Sequence, residues 1–149
     1  MPPAGAPPSP PPGADPAKAP TSDRREAVVA AVATAVGLMA GTLPKREFAG
    51  PVLRLLGEAS GVSRVYLFDF QRKADGSYLV TQRYEWTAPG ISPQIDNPDL
   101  QGLDMIDAGF GRWQEILLRG EPVVGEIAEF PPSERPVLEA QQILSLLVK

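Results

Sequence analysis

Two strand-like runs joined by a polar turn constrain the fold of this chain more than any other feature. Residues 61–70 read Gly-Val-Ser-Arg-Val-Tyr-Leu-Phe-Asp-Phe, residues 71–77 Gln-Arg-Lys-Ala-Asp-Gly-Ser, and residues 78–86 Tyr-Leu-Val-Thr-Gln-Arg-Tyr-Glu-Trp. β-branched and aromatic residues crowd both flanks, and Asp75-Gly76 marks the turn, the signature of a hairpin with a loop longer than two residues. The strands are expected at Arg64–Gln71 and Tyr78–Trp86. Val65 to Phe68 is apolar at every position, so that strand is expected to be covered on both faces. Helical patterns before and after the hairpin make the class α+β, built around an antiparallel sheet.

Before the hairpin, Asp23 with Glu26 three residues on forms a capping box. Val28, Val32, Ala35 and Met39 then follow one helical line, and Val29, Val36 and Leu43 a second. A helix apolar on two sides buries both, one in its own core and one in a partner. Gly50-Pro51 opens the next helix, whose stripe is Val52, Leu55, Leu56 and Ala59, and Gly61 closes it. Thr87 to Ala108 is a long polar connection with Pro89, Gly90, Pro93 and Pro98, of the kind that serves as a lid or binding loop. Helical spacing returns from Gly109 to Arg119. Pro122 to Ile127 is a short strand, Ser133 is expected to cap a helix over Glu134–Gln141, and Ile143 to Val148 is a strand.

Composition sets the limits. The first 20 residues hold nine of the 18 prolines and no aromatic residue, too little apolar surface to offset ordering entropy. Residues 1–22 are therefore read as a disordered Pro-rich tail, with Pro7-Pro8-Ser9-Pro10 an alternative ligand for a proline-reading module, and residues 23–149 as one domain. Net charge is −4 with no Lys/Arg block, so no nucleic acid partner is expected. Cysteine and histidine are absent, which removes disulfides, thiolate nucleophiles and imidazole-ligated metals together with the commonest general base. Ala27 to Pro44 is free of charge over 18 residues. It is Ala-rich, short for a span and interrupted by Thr34, Gly37, Gly41 and Thr42, so it is read as a helix packed in protein and not as a membrane anchor.

The ordered set of short motifs resembles the GAF domain, a sensory module of bacterial signalling proteins. The matching pieces are Leu-Gly-Glu-Ala-Ser-Gly-Val-Ser-Arg-Val-Tyr-Leu-Phe (56–68), Gln-Arg-Tyr-Glu-Trp (82–86), Pro-Gln-Ile-Asp-Asn-Pro (93–98), Gly-Phe-Gly-Arg-Trp (109–113), Arg-Gly-Glu-Pro-Val (119–123) and Ser-Glu-Arg-Pro-Val-Leu-Glu-Ala-Gln (133–141). The resemblance is strongest to the GAF domains of sensor histidine kinases and diguanylate cyclases. It implies a GAF-like central antiparallel sheet, amphipathic helices on one face, a pocket-forming loop and helix on the other, and a last strand and helix missing beyond Lys149. Gln142 stands where such domains carry a left-handed glycine. Bilin attachment and sulfoxide reduction in that family use cysteine, and haem attachment a histidine, so no cofactor is expected. The Asn-Lys…Phe…Asp-Glu pattern of its cyclic-nucleotide-binding members is missing.

The implied function is a small-molecule-sensing regulatory module of a bacterial signal-transduction protein, cytoplasmic, not itself an enzyme, serving an output domain in the full-length protein. The candidate ligand-binding residues are Tyr84, Trp86, Ile91, Ile95 and Trp113, in a region holding eight of the ten aromatics. The same residue types serve as core and loop anchors, and for Trp86 and Trp113 both roles stay open, whereas Tyr66 and Phe68 are assigned to the core. Asp96, Asp99, Asp104 and Asp107 match no cation-loop template and are read as turn and capping residues. The alternative function is a ligand-free interaction module, with the first helix forming a homodimer seam. A cavity under the long connection would favour the first reading, and a solid core with an exposed apolar stripe on the first helix the second.

Overall fold

The computed structural model describes residues 21–149. The tail proposed for residues 1–22 therefore lies outside the described residues as far as residue 20, and its last two residues are the first turn of a helix.

That helix, α1 (Thr21–Ala40), has Asp23 inside its first turn, where a carboxylate favours the positive end of the helix dipole. It packs along α2 (Lys45–Ser60). The packed line is Val28, Ala31, Ala35 and Leu38, with both alanines buried. This corrects the expected first line, because Val32 and Met39 are exposed. The second expected line, Val29, Val36 and Leu43, is also exposed.

α2 begins six residues before Pro51, after the extended Pro44, so Gly50-Pro51 lies inside the helix and does not open it. Phe48 and Ala49 explain the extra turn, since Ala49 is 4% exposed. Gly61 ends α2 in the left-handed conformation, φ 63°, with its N–H donating to the Gly57 carbonyl.

β1 (Arg64–Arg72) and β2 (Tyr78–Thr87) form the expected antiparallel hairpin. Arg64 pairs with Thr87 and Arg72 with Tyr78, and a bulge at Leu67/Phe68 leaves Arg83 without an opposite residue. Val65 to Phe68 is only half-buried, which corrects the expectation of full cover on both faces.

The long connection is not a plain loop. It contains a 3-10 turn, Pro98–Leu100, and a third strand, β3 (Gln101–Asp104), which pairs with β2. Beyond it come α3 (Gly111–Leu118), β4 (Val123–Glu126), α4 (Arg135–Ala140) and β5 (Ser145–Val148). β4 pairs antiparallel with β5. The described strands thus make a three-stranded sheet, β1-β2-β3, and a separate two-stranded one, so the expectation of a single central sheet is corrected while the α+β class with antiparallel sheets holds.

Ser133 does not cap α4. The residue before α4 is Glu134, which makes no side-chain cap, while the Ser133 hydroxyl faces the Gly109 carbonyl at 3.5 Å. Gln142 does take the left-handed conformation, φ 59°. The core gathers Val80, Met105, Phe110, Trp113, Val123, Ile127, Phe130 and Leu138, with Phe68 and Tyr78 packed on it. It lies between the β1–β2 hairpin and the α3, α4, β4–β5 layer. α2 contacts the same hairpin through Trp86, whose indole covers Gly57.

Candidate functional site

The interior polar groups gather on β1, β2 and the segment that follows β2. Tyr66 of β1 is paired with Glu85 of β2, and Phe68 with Gln82. The Glu85 carboxylate accepts from the Gln94 N–H at 2.7 and 3.0 Å and from the Ile95 N–H at 2.8 Å. One half-buried carboxylate therefore folds residues 94–95 back onto the sheet. Arg64 reaches across to the end of α4. Its guanidinium donates to the Gln141 carbonyl at 2.5 Å and to the Ser92 carbonyl at 3.0 Å. The Tyr66 hydroxyl donates to Gln141 Oε1 at 3.3 Å, and Gln141 Nε2 donates to the Val137 carbonyl. Burial pushes the Tyr66 phenol above its usual pKa, with the neighbouring Arg64 charge pulling the other way.

Gln82 stands out within this group. It is 2% exposed, and neither its Oε1 nor its Nε2 has a hydrogen-bond partner among the described residues. Arg64 Nε is likewise buried and unpartnered. A buried amide left unpaired costs about 1–3 kcal/mol, so such a group is rare without a use. Gln101 Nε2 approaches the Gln82 and Ile95 carbonyls at 3.4 Å, bringing β3 and the 88–97 segment over the same spot.

A second cluster holds the far layer together. The Glu134 carboxylate, 1% exposed, accepts from Arg112 Nε and Nη2 at 2.8 and 2.7 Å and from Trp113 Nε1 at 2.7 Å. Arg112 also stacks over the Phe130 ring, 5.4 Å from its centroid. Every donor in this cluster that faces the carboxylate is used, and its role is structural.

The five residues singled out in the sequence do not converge. Tyr84 and Trp86 alternate onto the α2 side of the hairpin. There Trp86 lines an open surface groove of about 720 Å³ with Gly50, Pro51, Arg54, Leu55, Glu58 and Glu85. Ile91 and Ile95 are half-buried in the segment after β2, and the Ile95 backbone binds Glu85. Trp113 is a core residue, 8% exposed, its ring tilted against Phe110 at 4.7 Å and edge-on to Phe130. Of the five, Ile95 alone touches the polar cluster through a hydrogen bond that places it there. Arg64, Tyr66, Gln82, Glu85 and Gln141 were missed. The signal for one of them was legible: Glu85 is a charged residue set between the aromatic Tyr84 and Trp86 within a strand.

The acidic residues of the connection serve local turns. Asp104 accepts from the Ile106 and Asp107 N–H groups and from Lys73 Nζ at 2.6 Å. Among the described residues no group of three or more acidic side chains is placed to hold a metal ion. No described helix is long and apolar enough to cross a membrane.

The described residues form a mixed α/β domain with antiparallel sheets and a polar cluster on the β1–β2 hairpin. Its likeness to a known protein suggests a regulatory module of signal transduction. The methanogenesis regulatory histidine kinase FilI of Methanothrix harundinacea (strain 6Ac) is 45% identical over 97 residues, 65% of this chain. The matched part is 11% of FilI, so the chain spans about a tenth of the curated relative it matches. No protein-family model matches the chain. No solved structure matches it.

Proposed function

We propose that this chain is a regulatory module of a signal-transduction protein of histidine-kinase type: GAF-like, cytoplasmic, without catalysis of its own, and coupled to an output domain. The observation that carries this reading is the 45% identity to FilI over 97 residues. The GAF-like part draws on the motif order in the sequence and on a hairpin with helices α1 and α2 to one side and α3 and α4 to the other.

In this reading the sensing site is the polar cluster of Arg64, Tyr66, Gln82, Glu85 and Gln141, beside the segment of residues 92–95. The Gln82 carboxamide and the Arg64 Nε–H are buried and unpartnered among the described residues, so a small polar molecule with both donors and acceptors is the class of ligand they would take. Entry requires residues 88–97 to lift, which breaks the Glu85 bonds to Gln94 and Ile95. The signal then passes along β2 to Trp86 and α2, because Trp86 lies against Gly57.

The test is a thermal-shift screen of small polar metabolites on the chain and on Gln82→Leu. A bound molecule raises the melting temperature of the native chain and not of the variant, while the variant without ligand melts higher than the native chain because a lone buried amide is gone. Equal shifts in both proteins would remove Gln82 from the site, and no shift with any metabolite would remove the sensing role. A second reading, a ligand-free interaction module, draws on the exposed apolar stripe of α1, Val29, Val32, Val36 and Met39, the feature set out above as favouring it.

A further inference from the structure

A groove of about 260 Å³ opens at the turn end of the hairpin, lined by Phe70, Tyr78, Gln114, Leu117, Leu118 and Lys149. It is separate from the polar cluster at the other end of β1 and β2. Its walls are apolar and open: Phe70 is 48% and Leu118 61% exposed, and the Phe70 and Tyr78 rings meet edge-on with centroids 6.1 Å apart. Its polar groups offer donors. The Tyr78 N–H donates to Gln114 Oε1 at 3.1 Å, which occupies the acceptor of that carboxamide and leaves its Nε2–H. The Tyr78 hydroxyl and the Lys149 ammonium also donate. The matching occupant is apolar, carries no positive charge, and presents acceptors without donors. Proline has that chemistry: an apolar ring, a carbonyl and no N–H. In polyproline II its carbonyls make no internal hydrogen bonds, and aromatic-lined grooves are what such segments dock on.

We propose that this groove holds residues 7–12 of the same chain, Pro-Pro-Ser-Pro-Pro-Pro, in the polyproline II conformation. Three observations select this occupant. Residues 2–14 carry no charged side chain, so nothing ionised enters the apolar walls. The segment also reaches. Arg24 of α1 donates to the Ser60 carbonyl at 2.7 Å, which places the start of α1 at the end of α2, close to Arg64 where β1 begins. Phe70 lies six residues along β1, about 20 Å away. The residues between Pro10 and Thr21 span about 30 Å as polyproline II, and β1 is an edge strand of its sheet, so the chain can pass around it. Finally, a segment tethered at this range is held at about millimolar effective concentration. A proline contact that is weak between separate molecules is then populated within one. The inference does not rest on the sensing site, and its test reads docking alone.

The chain has no cysteine, so a nitroxide on Ser9→Cys is a single label on the full chain. Amide NMR with the label oxidised and then reduced reads which residues it approaches. The amides of Phe70, Tyr78, Leu117 and Leu118 are expected to lose at least half their intensity, while that of Ile91, at the far end of the hairpin, keeps its own. Leu118→Lys puts a charge in the groove at an exposed position and removes the selective loss. Pro10→Asp with Pro11→Asp does the same from the side of the segment, without touching the folded layers. Labelled chain without isotope, mixed with isotope-enriched chain without label, gives no loss, because the contact is within one molecule. Three results overturn the proposal: intensities at the groove that do not change, losses there that persist in both variants, and losses that appear in the mixture, which would make a second copy the occupant.

Discussion

Gly57 shows how one absent side chain sets the distance between a helix and a sheet. A Cβ at this position would overlap the indole of Trp86. Glycine inside α2 costs about 1 kcal/mol of helix propensity against alanine, and here that loss lets the hairpin sit against the helix. Gly57→Ala recovers the propensity and forces the indole out, an overpacking that costs about 1–3 kcal/mol. The expected net loss is on the order of 1 kcal/mol in denaturant unfolding, with Trp86 emission shifted to the red. A variant as stable as the parent, with unchanged emission, would show that the indole is free to move. Single residues were the least legible level of the sequence. Trp86 and Trp113 look alike in it, yet one lies on a helix at the surface and the other holds Glu134 in the core. Which side of a strand a residue takes depends on the bulge at Arg83, and no alternation pattern announces it. Gln142 was the exception, since the resemblance to GAF domains sets a left-handed glycine at its position, and the structure places it at φ 59°.

Among elements, the hairpin turn carries a testable pH signature. Asp75 Oδ1 accepts from the Ser77 hydroxyl at 2.6 Å and the Ser77 N–H at 3.0 Å, and Lys73 lies 3.2 Å from Oδ2. These contacts favour the carboxylate and lower its pKa from 3.8 to about 2, the Ser77 hydroxyl first among them. A folded pKa below the unfolded value stabilises the fold fully above the unfolded value, and that contribution is lost as pH falls through the folded one. The window is therefore from about 4 down to about 2. Carboxyl NMR should give Asp75 a midpoint near 2, with the Ser77 amide moving alongside it, and Asp75→Asn should abolish that amide's titration. A midpoint at the ordinary 3.8 would mean that the turn is not formed as described. Asp69 and Asp104 are lowered too, through their lysine and arginine partners, so the assignment has to be residue by residue. Elements were legible where the signal was local: the hairpin, the glycine end of α2, α3, β4 and β5. They were missed where the partner decides. β3 is four residues with Gly102 in the left-handed conformation, too short to read as a strand until β2 offers it a ladder. α2 runs through Gly50-Pro51 because Ala49 finds a buried place before it.

For the whole molecule, the two layers flanking the hairpin are unequal in what they bury. The α3, α4, β4–β5 layer buries Phe110, Trp113, Ile127, Phe130 and Leu138, and α1 buries Ala31 and Ala35. Large apolar side chains contribute about 1.5–3 kcal/mol each on full burial, and a methyl group less than about 1. A helix anchored by two alanines and by Arg24 reaching the Ser60 carbonyl at 2.7 Å is the least held of the long elements. It should open as a unit before the sheet does. In native-state hydrogen exchange, amides of α1 are expected to exchange with a smaller opening free energy than those of β1 and β2. If α1 pairs with a second copy, its protection also rises with protein concentration by mass action, while that of the hairpin does not, and Val36→Glu removes the rise. α1 amides that exchange only through global unfolding, at the same rate at every concentration, would mean that the helix is held by its own layer and needs no partner. The same imbalance explains why the two apolar lines read from the sequence were resolved only in part. A helix rich in alanine and valine offers several sides of similar character, and the one that packs on α2 is Val28, Ala31, Ala35 and Leu38, whose two alanines let the helices approach closely. What remains outside is the bulkier line, Val29, Val32, Val36 and Met39, which is the side a second helix would need.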